Sequence, residues 1–113
     1  MKNKKNKRWV DQKCTIDLLS IISNCIIHCV NNDEQFTVST IRYNNYSQKK
    51  IYEEFHKPPD NKKNHEYDKF YSQPIKLLSY SYILNEDTTH REHIYTINNY
   101  ELLSFLSDNE NNS

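Results

Sequence analysis

Between Thr15 and Val30 apolar residues recur at helical spacing. Leu18, Ile22, Cys25 and Cys29 fall on one face, with Leu19, Ile26 and Val30 beside them. The stripe is wide, which predicts a central, well-buried helix. Thr15 suits its N-cap, and Asp17 suits the first turn, where the helix dipole favours an anion. "NNDE", residues 31–34, ends the helix by turn chemistry. In "QFTVSTI" Phe36, Val38 and Thr40 alternate with Thr37, Ser39 and Ile41, and β-branched residues dominate. That run predicts a short strand; a helix capped by Thr37 or Ser39 is the alternative. "SQKKIYEEF" predicts a short helix capped by Ser47 that buries Ile51, Tyr52 and Phe55 and stops before Pro58 and Pro59.

After the polar loop "HKPPDNKKN" the helical pattern resumes, from about Glu66 to Ser79. Tyr67, Phe70, Tyr71, Ile75, Leu77 and Leu78 supply its apolar positions. Pro74 either kinks this helix or opens a second segment. "SYIL" then reads as a strand, "NEDTTHRE" as a loop and "HIYTI" as a returning strand with Tyr95 and Ile97 on one face. "NNYELLSFLS" predicts a closing helix with an Asn98–Glu101 capping box, burying Leu102, Leu103, Phe105 and Leu106. The expected core is Leu18, Leu19, Ile22, Ile26, Ile51, Phe55, Leu77, Leu78, Ile83, Tyr95, Ile97, Leu102 and Phe105.

A chain of 113 residues is expected to form one domain. Residues 1–13 read as a basic flexible arm, 14–107 as the folded domain and 108–113 as an acidic disordered tail. Asn, Lys, Ile and Tyr are abundant and glycine is absent, a bias expected of an AT-rich, low-GC prokaryotic genome or its phage. Fifteen Lys and Arg balance fifteen Asp and Glu, so no global field draws the chain to nucleic acid. The arm, "MKNKKNKRW", is locally basic. Its first reading is a solvated terminus; the sharper one makes Lys4, Lys5, Lys7 and Arg8 contacts to a nucleic-acid backbone. "CTIDLLSIISNCIIHCV" is too short and too polar for a membrane span, and no cleavage site comes after it. A cytoplasmic location is therefore the expectation, with no membrane partner. Three cysteines without disulfide spacing are expected to be reduced.

Several constellations invite chemistry. In "CIIHC", Cys25, His28 and Cys29 could face one ion. A structural zinc site takes four ligands, and Cys14 would lie about 16 Å from Cys25 along a continuous helix. Buried hydrophobic cysteines and a dipole-facing histidine are the stronger reading, so no metal is expected. A magnesium nuclease needs two carboxylates and a lysine at a sheet edge. "PPDNKKNHEYDKF" offers Asp60, Lys62, Glu66, Asp68 and Lys69, but Tyr67 stands two before Lys69 where an acid is required, and Asp60 has no upstream partner on a strand. A solvated loop is expected there, with no catalytic residue and no cofactor. A chain without glycine cannot form a glycine-rich phosphate loop. What remains is a binding surface. The helix near "YDKFYSQPIKLLSYSYIL" carries Lys69, Ser72, Gln73 and Lys76 on its polar side, residue types that contact phosphates and base edges. His90 and Arg91 lie in the loop beyond it. The plain alternative is an amphipathic helix with an ordinary wet face.

The order of elements (helix, short strand, helix, helix, two-stranded hairpin, closing helix) is that of a winged helix. "QPIKLLSYSYILNEDTTHREHIYTINNYELLSFLS" resembles the winged-helix segments of prokaryotic DNA-binding proteins, most closely the N-terminal recognition domains of type II restriction endonucleases. The resemblance rests on Pro74, Ile75, Lys76, Leu78, Ile83, Leu84, Tyr95, Ile97, Asn98, Leu102 and Leu103. It implies an α+β winged helix-turn-helix with a C-terminal two-stranded wing and a short closing helix. It also implies sequence-specific duplex DNA binding through Lys69, Ser72, Gln73, Lys76 and Arg91. The chain would then be a detached or truncated specificity domain, working with a separate nuclease or methyltransferase subunit. A protein-interaction winged helix, for dimerisation or complex assembly, is the alternative; neutral charge and many tyrosines favour it. The family pattern usually places glycine between the third helix and the first wing strand. "SYSYIL" has none, so that turn must differ or carry strain.

Overall fold

A computed structural model describes residues 16–55 and 69–111, without the side chains of Lys69 and 109–111. The basic arm with Lys4, Lys5, Lys7 and Arg8, the Thr15 cap, the whole "HKPPDNKKN" loop with Asp60 and Lys62, and the expected helix start at Glu66, Tyr67 and Asp68 lie outside the described residues. The described chain is α+β, with five helices and one two-stranded antiparallel sheet. None of these helices is long and apolar enough to cross a membrane.

Helix α1, Ile16–Cys29, is central, as its wide stripe predicts. Leu18, Ile21, Ile22, Cys25 and Ile26 are buried, and so are Ser20, Ser23 and Asn24. A helix buried so far round must satisfy its polar side chains internally. Ser23 Oγ donates back to the Leu19 carbonyl at 2.8 Å. Asn24 Nδ2 donates to Ser107 Oγ at 3.0 Å, and Asn24 Oδ1 accepts from the Tyr46 hydroxyl. His28 stacks on Tyr46, ring centroids 4.2 Å apart.

In the "QFTVSTI" segment the predicted strand gives way to the alternative, a helix capped by Thr37. Only Phe36 keeps strand geometry, exchanging hydrogen bonds of 2.9 and 2.7 Å with Tyr95. Thr37 then caps a one-turn helix α2, Val38–Arg42. The Thr37 side chain accepts from the Thr40 amide, and the Thr40 hydroxyl accepts from the Thr37 amide. This reciprocal cap satisfies donors that a strand would have left unpaired, and it outweighs the β-propensity of the run. Helix α3, Asn45–Phe55, is capped by Asn44 Oδ1 on the Tyr46 amide at 2.8 Å. Ser47, the expected cap, is buried inside the helix and sits 3.8 Å from Cys29 Sγ. Tyr52 faces solvent.

Helix α4, Lys69–Tyr80, runs through Pro74, which is buried. The way it ends sets where the hairpin begins. Tyr82 takes a left-handed backbone, φ 63°. The Tyr82 amide donates to Ser79 O and the Ile83 amide to Leu78 O, both at 3.0 Å. These are the paired bonds that close a helix through a left-handed residue. The Ile83 carbonyl then accepts from the amides of Asn98 and Asn99, and Asn98 Nδ2 donates to Tyr82 O at 2.7 Å. Strand β1, Leu84–Asp87, starts only after this turn and runs into the expected loop. It pairs with β2, Ile94–Ile97, in the register Leu84 to Ile97 and Glu86 to Tyr95.

Helix α5, Tyr100–Asn111, continues into the segment read as an acidic tail. Asn99, not Asn98, caps it, accepting from the Leu102 amide at 3.1 Å. Leu103 and Ser107 turn onto α1, whereas Leu102 and Phe105, expected in the core, are 41% and 69% exposed. Leu77 is likewise 40% exposed, because Tyr71, Ile75 and Leu78 take the inward face of α4.

Tyr82 is 76% exposed, so its side chain contributes little to offset a left-handed backbone, which costs about 1–2 kcal/mol in a residue with a Cβ. Tyr82→Gly is expected to raise unfolding free energy by about 1 kcal/mol, while Tyr82→Ala leaves it nearly unchanged. Urea midpoints measure both. A glycine variant less stable than wild type would show that the turn is not strained.

Candidate nucleic-acid interface

On a helix, positions 72, 73 and 76 share one side. In α4 these are Ser72, Gln73 and Lys76, with Lys76 exposed and the other two half-buried. The inward positions Tyr71, Ile75 and Leu78 are committed to the core, which fixes the rotation of the helix. The β1–β2 hairpin folds back beside it. Between them lies an open cleft of about 380 Å³, lined by Val38, Ser72, Gln73, Lys76, Arg91, Glu92, His93 and Tyr95. Four residues singled out in the sequence, Ser72, Gln73, Lys76 and Arg91, thus line one cleft although Lys76 and Arg91 are far apart in the chain. Lys69 lies in the first turn of the same helix.

The hairpin holds its shape through its carboxylates. Glu86 sits on β1, half-buried, rather than at the tip of the loop. It accepts from Ser79 Oγ at 3.1 Å, from the Tyr95 hydroxyl at 3.0 Å and from His93 Nδ1 at 2.8 Å. Burial pushes the Glu86 carboxyl up, but the hydrogen bonds from His93, Tyr95 and Ser79 and the attraction of His93 together hold it below the usual glutamate range. Burial, then the bond to Glu86, keeps the Tyr95 phenol well above its ordinary value. Asp87 closes the turn by accepting from the Thr89 hydroxyl at 2.6 Å and the Thr89 amide at 2.9 Å, with His90 Nε2 3.6 Å away. The Thr89 bonds lead in holding its carboxyl low. Glu92 accepts from Ser39 Oγ of α2 at 2.5 Å, so the loop is tied at a second point.

Helix spacing and loop position in the sequence pointed to the cations and the amide of this cleft but not to Ser39, Glu92 or His93. His93 had a local signal. It lies seven residues after Glu86, and a hairpin brings such positions together once its register is known. The register depended on where β1 begins, and the Tyr82 turn sets that. The cysteine–histidine cluster has other employment. His28 Nδ1 donates to the Asn24 carbonyl at 3.3 Å, and burial, only partly countered by Ser47, raises the Cys29 thiol above its usual value. Among the described residues no three His, Cys, Asp or Glu come together as ligands. A second cleft of about 380 Å³ lies behind Glu86, between Ser79, Tyr80, Tyr82, Leu84 and Asn85. No protein-family model, curated protein or solved structure matches this chain.

Glu86 links stability to pH. Its folded-state carboxyl is depressed, so its contribution is fully present above the ordinary glutamate value, near pH 4.3, and is lost as pH falls through the folded value. Glu86→Gln is expected to lower stability at pH 7 by about 1 kcal/mol. The variant should also lose less than wild type between roughly pH 5 and pH 3. Urea unfolding across that range tests it; parallel curves for the two proteins would contradict the assignment.

Proposed function

We propose that this chain is a winged helix that binds duplex DNA, with α4 in the major groove and the β1–β2 turn as the wing. The observation that carries this reading is the cleft between α4 and the hairpin, where Ser72, Gln73, Lys76 and Arg91 meet. The element order supports it. Phe36, bridged to Tyr95, stands where a winged helix has its first strand, reduced here to a single residue. Lys76 and Arg91 would position the protein on phosphates, while Gln73 can read adenine through two hydrogen bonds. Lys69 and the basic arm, Lys4, Lys5, Lys7 and Arg8, would extend the backbone contacts. The resemblance to restriction-endonuclease recognition domains makes the proposed role that of a specificity module. Its partner would then be a separately encoded nuclease or methyltransferase subunit, inside the cell.

A second reading has its own observation. Leu102 and Phe105, three positions apart on α5, are both substantially exposed, with Tyr100 nearby. Such a face suits a protein partner, which would make the domain an assembly module.

Salt separates the two. Binding to DNA should weaken with a log–log slope of about −0.9 per phosphate neutralised, whereas an apolar interface responds little. Arg91→Ala should lower that slope by about one unit and weaken binding evenly across DNA sequences. Gln73→Ala should instead relax sequence preference. Neither should move stability by more than roughly 0.5 kcal/mol. Fluorescence anisotropy with a randomised duplex pool, alongside thermal melting, reads all three. Unchanged melting with no effect of either variant on DNA affinity would leave the assembly module as the standing reading.

A further inference from the structure

His93 lies in the cleft between α4 and the hairpin, and its side chain is 37% exposed. Its Nδ1 is committed to Glu86 Oε2 at 2.8 Å. An ionised carboxylate only accepts, so the ring proton is on Nδ1 and a second proton must go to Nε2. This is the arrangement in which a carboxylate fixes the orientation and tautomer of an imidazole. Every packed element supplies groups that bear on that proton. Glu86 and Asp87 of β1 favour it, and Tyr95 of β2 is a neutral donor to the same carboxylate. Lys76 of α4 and Arg91 of the turn oppose it, and Glu92, held by Ser39 of α2, favours it. Without that proton the cleft lining carries two cations, Lys76 and Arg91, against one carboxylate, Glu92. With it the net charge of the lining doubles, from one positive charge to two. An anion entering the cleft supplies the counter-charge that offsets the opposition of Lys76 and Arg91 to the proton.

Resting on the DNA-binding reading, we propose that His93 is a third phosphate ligand beside Lys76 and Arg91, and that a backbone phosphodiester enters this cleft as His93 Nε2 takes one proton from solvent. Histidine is the side chain whose charge changes between about pH 5 and 8, so the uptake shows in that range. Glu86 acts as its positioning residue.

The test is DNA affinity of the full chain at fixed salt from pH 6 to pH 8. One linked proton changes affinity by at most about tenfold per pH unit. Wild type is expected to bind roughly tenfold more weakly at pH 8 than at pH 6. His93→Gln should bind equally at both, at the wild-type pH 8 level, and its salt slope at pH 6 should fall by about one unit. His90→Gln, on the same turn but paired with Asp87, should keep the wild-type pH dependence. A His93→Gln variant with normal melting that retains that dependence overturns the proposal. NMR titration of the wild-type His93 ring, with and without inorganic phosphate, provides a readout that needs neither DNA nor the variant. A midpoint that rises with phosphate supports the phosphate seat even if no duplex binds, in which case the DNA reading alone fails. A midpoint that does not move overturns the seat.

Discussion

The peptide groups around Tyr82 and Ile83 carry more of this structure than any side chain. The Tyr82 and Ile83 amides close α4 onto Ser79 and Leu78, and the Ile83 carbonyl accepts from both Asn98 and Asn99. The exit of α4, the start of β1, the end of β2 and the start of α5 are therefore fastened at one place. Backbone groups buried at such a junction must all be paired, and the geometry that pairs them requires a left-handed residue. With no glycine in the chain, Tyr82 takes the strain. That cost is tolerable because Ile83 and Leu78, on either side of the turn, are buried in the same core.

The turn also explains how a surface on α4 and a surface on the hairpin come to share a cleft. If β1 were shifted by one residue, Glu86 would turn outward and every side chain of the strand would change face. Starting at Leu84 puts Leu84 and Glu86 on the inner side of the hairpin, opposite Ile97 and Tyr95. Glu86 is then a polar residue on a side that is otherwise apolar. It is accommodated because Ser79 reaches it from α4 while His93 and Tyr95 reach it from across the hairpin. The carboxylate thereby ties helix to sheet, and its removal would leave three donors short of an acceptor.

The legibility of each element in the sequence tracks the strength of its local signal. The helical period of "IDLLSIISNCIIHC" is long and wide, and α1 emerged with its expected inward face. The alternation of "HIYTI" gave Tyr95 and Ile97 a common buried side. Boundaries set by a single competing cap were legible only as a second reading, as with the helix capped by Thr37, or not at all, as with the Asn99 cap. Thr37 with Thr40 turned a β-branched run into helix, and Asn99 displaced Asn98 because the Asn98 side chain was needed at the Tyr82 carbonyl. That last exchange is a long-range hydrogen bond, invisible in the local sequence. On α5 itself Leu103 and Ser107 take the inward face, and Leu102 and Phe105 are exposed. In the candidate cleft, Ser72, Gln73 and Lys76 were legible from helix spacing. His93, Glu92 and Ser39 required the register and the α2 turn.

A chain with equal numbers of acids and bases looks ill suited to a polyanion, yet net charge is the wrong measure at short range. The acids near the cleft are each engaged by donors of the protein itself: Glu86 by Ser79, Tyr95 and His93, Asp87 by Thr89, and Glu92 by Ser39. A carboxylate whose lone pairs already face fixed dipoles projects a weaker field into solvent than its formal charge implies. Lys76 and Arg91, by contrast, are exposed on the open side. At physiological ionic strength the screening length is about 8 Å, so an approaching phosphate responds to these few groups and hardly to the rest of the surface. On the proposed reading, then, the local distribution of donors governs whether this neutral protein attracts an anion. On that reading His93, which lines the same cleft as Lys76 and Arg91, is the third group an entering phosphate meets.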